Sequence, residues 1–190
     1  RVRHVYLGLP EAQRLLRFGP NTQVFDLGNP IVPPSMQNKE SARAKFSLDG
    51  ARPVVLVTGG SQGSLAINQA VAGWLARGAP EGADLIWVTG RGSYEQFRRY
   101  QAGRVRIYDF LDPMSDAYAV ADLVVSRAGM ITLAELCAWG IPNILIPLPT
   151  AAADHQTYNA RVLAEAGASL LLPQSELTPD RLAATVGDLL

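Results

Sequence analysis

The residues best suited to chemistry cluster between Val124 and Ala160, VVSRAGMITLAELCAWGIPNILIPLPTAAADHQTYNA. Arg127-Ala128-Gly129 forms a turn between an apolar strand and a helix. Such a helix start offers backbone N–H groups and the positive end of a dipole to an anion. Thr132 adds a hydroxyl, and Glu135 follows three residues later on the same helical face. The neighbours of Glu135 (Met130, Ile131, Leu133, Ala134, Leu136) are apolar, so its carboxylate needs polar partners, and vicinal hydroxyls serve well. Together these groups suit a phosphate beside a sugar diol, as in a nucleotide-sugar. The less demanding reading is a charged helix start, since a glutamate near the N-terminus is favoured by the dipole alone.

A second helix opens with Asp154-His155-Gln156 and Asn159. An Asp-His pair can perform acid–base work or hold a metal. The only other histidine is His4 and there is no cysteine cluster, so no metal is expected. Asp154 also suits a plain helix N-cap. No Ser-His-Asp or Cys-His set can be assembled, and no Asp-x-Asp is present. A third group, Gly59-Gly60-Ser61-Gln62-Gly63, lies between a buried strand and a helix, where glycine permits tight turning and close approach to a ligand. It is neither a Walker A sequence nor GxGxxG.

These groups require elements that bring them together. Val2–Leu7 and Val24–Leu27 are expected strands, with a short helix over Pro10–Phe18 between them. Gly28-Asn29-Pro30-Ile31-Val32-Pro33-Pro34 is too proline-rich for helix or central strand and marks a connector. From Arg52 the pattern becomes regular, with strands Pro53–Thr58, Leu85–Thr89, Val105–Tyr108, Leu123–Ser126, Asn143–Ile146 and Leu170–Leu172. Helices are expected over Ser64–Arg77, Tyr94–Gln101, Pro113–Ala121, from the turn to about Trp139, from about His155, and over Pro179–Leu190 capped by Thr178. The first of these carries Leu65, Ile67, Val71, Trp74 and Leu75 as its expected inner face. Strictly alternating strands and helices imply an α/β fold, a Rossmann-like parallel sheet with helices on both faces. Ligands of such sheets bind at the carboxyl ends of the strands.

The 190 residues suffice for one full domain plus a piece of a second. Apolar residues make up 48% and charged residues 18%, which excludes a disordered chain. Basic and acidic residues balance at 17 each with no basic run, arguing against nucleic acid as a partner. The single cysteine, Cys137, fits a reducing compartment and is expected in the core. No apolar run approaches a membrane span and no signal peptide is evident. The start at Arg1, in the middle of a strand, suggests a fragment of a longer protein.

Several stretches occur in an order that resembles the MurG family of bacterial N-acetylglucosaminyltransferases of peptidoglycan synthesis. They are Gly59-Gly60-Ser61-Gln62-Gly63, Asp109-Phe110-Leu111-Asp112-Pro113-Met114, Ser126-Arg127-Ala128-Gly129, Thr132 with Glu135, Gly140-Ile141-Pro142 and Ala153-Asp154-His155-Gln156 with Asn159-Ala160. The resemblance covers nearly the whole chain but only the carboxyl-terminal half of the family's protein. It implies the donor domain of a GT-B fold, a peripheral enzyme on the cytoplasmic side of the bacterial cell membrane, and no cofactor. Residues 1–27 would be the tail end of the amino-terminal acceptor domain, 28–34 the connector and 35–190 the domain that binds UDP-N-acetylglucosamine (UDP-GlcNAc).

The resemblance also implies roles. Gly60, Ser61, Gln62 and Gly63 would contact the sugar-phosphate region, and Phe110 and Leu111 would flank the uracil. Gly129, Met130, Ile131 and Thr132 would receive the diphosphate, Glu135 the ribose hydroxyls, and His155 and Gln156 the N-acetylglucosamine. One departure stands out: where family members often carry an arginine that reaches the diphosphate, this chain has Val32, and Arg127 is the candidate to replace that charge. The catalytic base, the lipid-linked acceptor site and the membrane contact would belong to the other domain. Alternatives are another GT-B transferase, such as a diacylglycerol galactosyltransferase or the lone donor-binding subunit of a two-subunit enzyme. A nucleotide-sugar binding module without turnover is a further alternative.

Overall fold

The computed structural model describes residues 2–35, 39–48, 50, 52–78, 80 and 82–190. Two short strands, β1 (His4–Leu7) and β2 (Gln23–Asp26), pair in parallel as a small sheet of their own, joined through a 3-10 helix at Pro10–Leu15. Residues 27–35 carry no regular structure. The helix α1 (Lys39–Lys45) leads to the main sheet.

That sheet comprises β3 (Val54–Thr58), β4 (Asp84–Val88), β5 (Val105–Tyr108), β6 (Leu123–Ser126), β7 (Asn143–Leu145) and β8 (Leu170–Leu171). All six are parallel, in the spatial order β5-β4-β3-β6-β7-β8. The strands are nearly continuous apolar runs because both faces are covered. Alternation along each strand sorts its side chains between two cores. Val55 and Val57 join a cluster with Ile67, Val71, Trp87, Phe97, Leu182 and Val186, whereas Val54 and Leu56 join one with Phe46, Tyr118, Leu133 and Leu136. The first layer is built by α2 (Leu65–Leu75), α3 (Tyr94–Phe97) and, later in the chain, α7 (Pro179–Leu189). The second is built by α1, α4 (Ser115–Val120), α5 (Met130–Trp139) and α6 (His155–Glu165).

The strand order contains one reversal. From β3 the chain moves outward through β4 to β5, then returns to the other side of β3 with β6. Helix α2 leaves β3 toward one layer and α5 leaves β6 toward the other, which opens a crevice beyond their carboxyl ends.

Buried polar groups brace this frame. Asn68 is fully buried, donates to the Thr89 carbonyl (2.8 Å) and accepts from the Trp87 indole (2.9 Å), locking α2 onto β4. Asp122 accepts from the Val54 N–H at 2.8 Å. Thr178 caps α7 by accepting from the Arg181 N–H.

Three expectations need correction. Helix α1 leaves no pattern in the sequence: KESARAK buries only Ala42, too little to show a period. Ion pairs from Lys45 to Asp116 and Lys39 to Asp122 also tie it down. Leu65 is exposed, since as the first residue of α2 it faces the crevice; Ile67, Val71 and Trp74 form the inner face, with Leu75 packed at its margin. Cys137 is exposed: α5 is apolar nearly all round, so the pattern did not distinguish the face that buries Leu133 and Leu136 from the one carrying the thiol.

Candidate nucleotide-sugar site

The crevice holds two adjoining cavities. The first, of about 160 Å³, is walled by Thr58, Val88, Phe110, Leu111, Tyr118 and Glu135 among others. The second, of about 570 Å³, is walled by the Gly59–Gly63 turn, Leu65, Arg127, Gly129, Gln156 and Gln174 among others. Gly60, Ser61 and Thr132 border both, so the two cavities read as one site with two compartments.

The glycines explain the shape. Gly60 and Gly63 have positive φ (83° and 75°), and a Cβ on Gly63 would lie 2.2 Å from the Thr89 carbonyl oxygen. Gly90, at φ 85°, meets Gly63 backbone to backbone, so the β3–α2 and β4–α3 turns are in direct contact. Gly129 is different. Its φ of −70° suits any residue and a Cβ there would meet nothing within 4 Å. Neither backbone nor protein packing demands glycine at 129, so the open space in front of α5 is room for something else.

Helix α5 begins at Met130 with no side-chain cap, and its first internal bond runs from the Leu133 N–H to the Gly129 carbonyl. The N–H groups of Met130, Ile131 and Thr132 are therefore left for an anion. The side chains of Met130 and Ile131 are not part of the cavity walls, and Ile131 is exposed.

Arg127 is buried directly behind this point. Its Nη1 donates to the carbonyls of Ile146 (3.0 Å) and Pro147 (2.9 Å), and its Nη2 to Ser64 Oγ (2.7 Å) and Gln174 Oε1 (2.6 Å). Among the described residues no carboxylate pairs with it. Burial pulls its pKa below the ordinary arginine value, yet arginine remains charged near neutrality. The cavity wall thus carries a positive charge that the protein has not neutralised.

Glu135 accepts a hydrogen bond from the Tyr118 hydroxyl at 3.0 Å. Tyr118 is 4% exposed, and burial, followed by the Glu135 carboxylate, pushes its pKa far above 10.0. It stays a neutral donor that fixes one carboxylate oxygen and leaves the other to accept two hydroxyls side by side. The exposed Phe110 is covered by Arg91, whose guanidinium carbon lies 4.7 Å from the ring centroid. The Phe110 N–H is already taken by Asp109 Oδ1 (2.7 Å) and is not free for a ligand.

At the start of α6, Gln156 Oε1 accepts from the Leu148 N–H at 3.0 Å. Because an N–H must face the amide oxygen, the side-chain NH₂ is left as a donor at the cavity wall. His155 is exposed, its Nδ1 lies 2.8 Å from the Ala152 carbonyl, and it is not among the cavity-lining residues. The cavity walls therefore bring together every predicted site residue except Met130, Ile131 and His155; the first two stand at the helix start beside the walls. Asn159 is structural: buried, it donates to the Ala128 carbonyl (3.2 Å) and holds the Arg127–Gly129 turn. Asp154, in a left-handed conformation, makes no side-chain cap. No group of three or more potential metal ligands occurs among the described residues.

Sequence reasoning missed Tyr118, Ser64, Gln174 and Arg91. The signal for Tyr118 is the hydrogen-bond partner that a half-buried carboxylate requires; Gln174 lies 47 residues from Arg127 in a stretch without pattern.

A parallel sheet whose switch point presents an open helix start, a carboxylate and an uncompensated arginine has the architecture of a Rossmann-like ligand-binding domain. The chain belongs to glycosyltransferase family 28: residues 54–190 match that family's C-terminal domain. It is 46% identical over 195 aligned residues to the UDP-N-acetylglucosamine–N-acetylmuramyl-(pentapeptide) pyrophosphoryl-undecaprenol N-acetylglucosamine transferase of Syntrophotalea carbinolica, covering 99% of this chain and 51% of that protein. The corresponding transferase of Chlorobium limicola is 39% identical over 188 residues, covering 98% of this chain and 51% of the relative. Among solved structures, Acinetobacter baumannii MurG is similar with a TM-score of 0.73 and 27% identity, covering 98% of this chain and 52% of that one. The chain spans about half the length of the curated relatives it matches.

Proposed function

We propose that this chain is the donor-binding half of a transferase that moves N-acetylglucosamine from UDP-GlcNAc to a lipid-linked muramoyl-pentapeptide, with inversion. The observation that carries the reading is the pair of cavities at the β3/β6 switch point, one edged by Glu135 and the other by the α5 N-terminus and Arg127. Uracil would lie between Phe110 and Leu111, the ribose diol on Glu135, and the diphosphate at Gly129–Thr132. The sugar would lie near Gln156, with His155 reaching it only if its loop moves.

In the transfer, the acceptor's C4 hydroxyl oxygen bonds to the anomeric carbon while the bond from that carbon to the phosphate oxygen breaks. UDP leaves with the electron pair, and the hydroxyl proton passes to a base outside these residues. Charge grows on the diphosphate as it departs, so the α5 N–H groups and the charge of Arg127 lower the barrier by stabilising it. Val32, which stands where relatives often place an arginine, is 83% exposed, and that electrostatic work falls to Arg127. Residues 1–27 would belong to the acceptor domain, 28–34 to the connector and 35–190 to the donor domain, in keeping with the separate β1–β2 sheet. Among the described residues no helix is long and apolar enough to cross a membrane. Peripheral contact with the cytoplasmic face of the membrane would be made through the other domain.

Calorimetric titration of the chain with UDP-GlcNAc, UDP-glucose and UDP-galactose tests the reading. Preference for UDP-GlcNAc is expected, together with no transfer to a lipid-linked muramoyl acceptor by this chain alone. Equal affinity for the three donors, or none for any, would overturn it.

A further inference from the structure

The side chains around Arg127 are chosen in a way that protein stability alone does not explain. A buried guanidinium is costly without a counter-ion, and the stabilising remedy is a carboxylate. Here all four recorded acceptors are uncharged: two backbone carbonyls, the Ser64 hydroxyl and the Gln174 amide oxygen. Gln174 opens a 3-10 turn (Gln174–Glu176) that follows β8, and places Oε1 2.6 Å from Nη2. A glutamate would fit that position with the same length and geometry. The turn does contain an acid, Glu176, but it is exposed and does not pair with Arg127. Ser64 serves twice, accepting from Arg127 and from the Ile67 N–H at the start of α2, so the guanidinium is also tied to the glycine turn.

We propose that Gln174 is a positioning residue that holds Arg127 through an uncharged acceptor, so that the guanidinium's charge is kept for the diphosphate of the ligand. This rests on the donor-site reading above and adds to it a residue near the end of the chain. Gln174 fixes where the charge sits; its neutrality keeps that charge available. A carboxylate in its place would hold the guanidinium as well or better and cancel its field at the α5 entrance.

The experiment compares the parent chain with Gln174→Glu and Gln174→Leu, titrated calorimetrically with UDP and with uridine, alongside thermal unfolding. Gln174→Glu is expected to weaken UDP by at least about tenfold while leaving uridine within about twofold, because only the phosphates feel the lost charge. Its unfolding temperature should equal or exceed the parent's, since the new carboxylate pairs with a buried cation. Gln174→Leu, which removes one acceptor and adds no charge, should weaken UDP by less than about threefold. Unchanged UDP affinity in Gln174→Glu, equal losses in the two variants, or parallel losses of UDP and uridine would each overturn the proposal. A folded parent that binds neither ligand would overturn the donor-site reading and this proposal with it. A parent that binds UDP with an indifferent Glu variant overturns the proposal alone.

Discussion

The two ends of the main sheet each hold an arginine, half-buried at one end and buried at the other, and they treat it in opposite ways. At the amino end, Arg106 on β5 pairs with Asp84 (3.1 Å), whose carboxylate is 1% exposed, and also donates to the carbonyls of Phe46, Ser47 and Gly103. Its charge is spent within the protein, fastening the chain after α1 to the sheet. At the carboxyl end, Arg127 meets four neutral acceptors and, among the described residues, no acid. The same side chain is a structural clamp in one place and a reserved charge in the other. What separates them is the counter-ion, and only the second lies beside an open helix start.

Substitutions at the two arginines should therefore fail differently. Arg106→Leu strands the buried Asp84 carboxylate and is expected to cost about 3–5 kcal/mol of stability by denaturant unfolding, with UDP affinity of the folded chain unchanged. Arg127→Met should instead weaken UDP by about 2–4 kcal/mol while sparing uridine; equal effects on both ligands would erase the distinction. Next in size is Glu135→Ala, expected to weaken UDP and UDP-GlcNAc alike by about 1.5–3 kcal/mol in calorimetry. An unaltered affinity would reduce Glu135 to a dipole residue.

Tyr118→Phe should cost about 0.5–1.5 kcal/mol in UDP binding and much less against 2′,3′-dideoxy-UDP, which lacks the diol. Because the folded-state pKa of Tyr118 is raised above 10.0, its contribution to stability is complete below that pH and declines as the pH rises beyond it. The Phe variant should lose that part of the alkaline decline in a pH series of unfolding midpoints. The smallest effect expected is Gln156→Ala, about 1 kcal/mol on UDP-GlcNAc with UDP nearly unchanged and the preference over UDP-GalNAc blurred. A loss shared equally by UDP would trace instead to the Leu148 N–H that Gln156 holds.

Much of this arrangement is written in local patterns. Val54–Thr58 and Leu123–Ser126 read as buried parallel strands because nothing polar interrupts them until their ends. Gly129, Thr132 and Glu135 read as a site because their spacing puts an open helix start, a hydroxyl and an acid on one side. What local pattern does not carry is the pairing of distant groups. Ser64 and Gln174 reach Arg127 across 63 and 47 residues, and their role depends on the β3/β6 reversal, which strand periodicity alone does not reveal. Cys137 and Leu65 are exposed against the pattern for a related reason: an apolar residue at a helix end or on an all-apolar helix has no face assigned by sequence.

The contact between Gly63 and Gly90 has a kinetic consequence. A Cβ on either glycine would clash with the other's backbone, so the Gly59–Gly63 turn and the segment bearing Arg91 are expected to move together. An incoming ligand then meets a cradle already shaped, and capture need not wait for two loops to find each other. Amide hydrogens of Gly60–Gly63 and of Gly90–Arg91 should accordingly exchange with solvent in a single correlated step, slowed together when either compartment is filled. A side chain introduced at Gly90 would uncouple them, and slower association rather than faster release would be its signature.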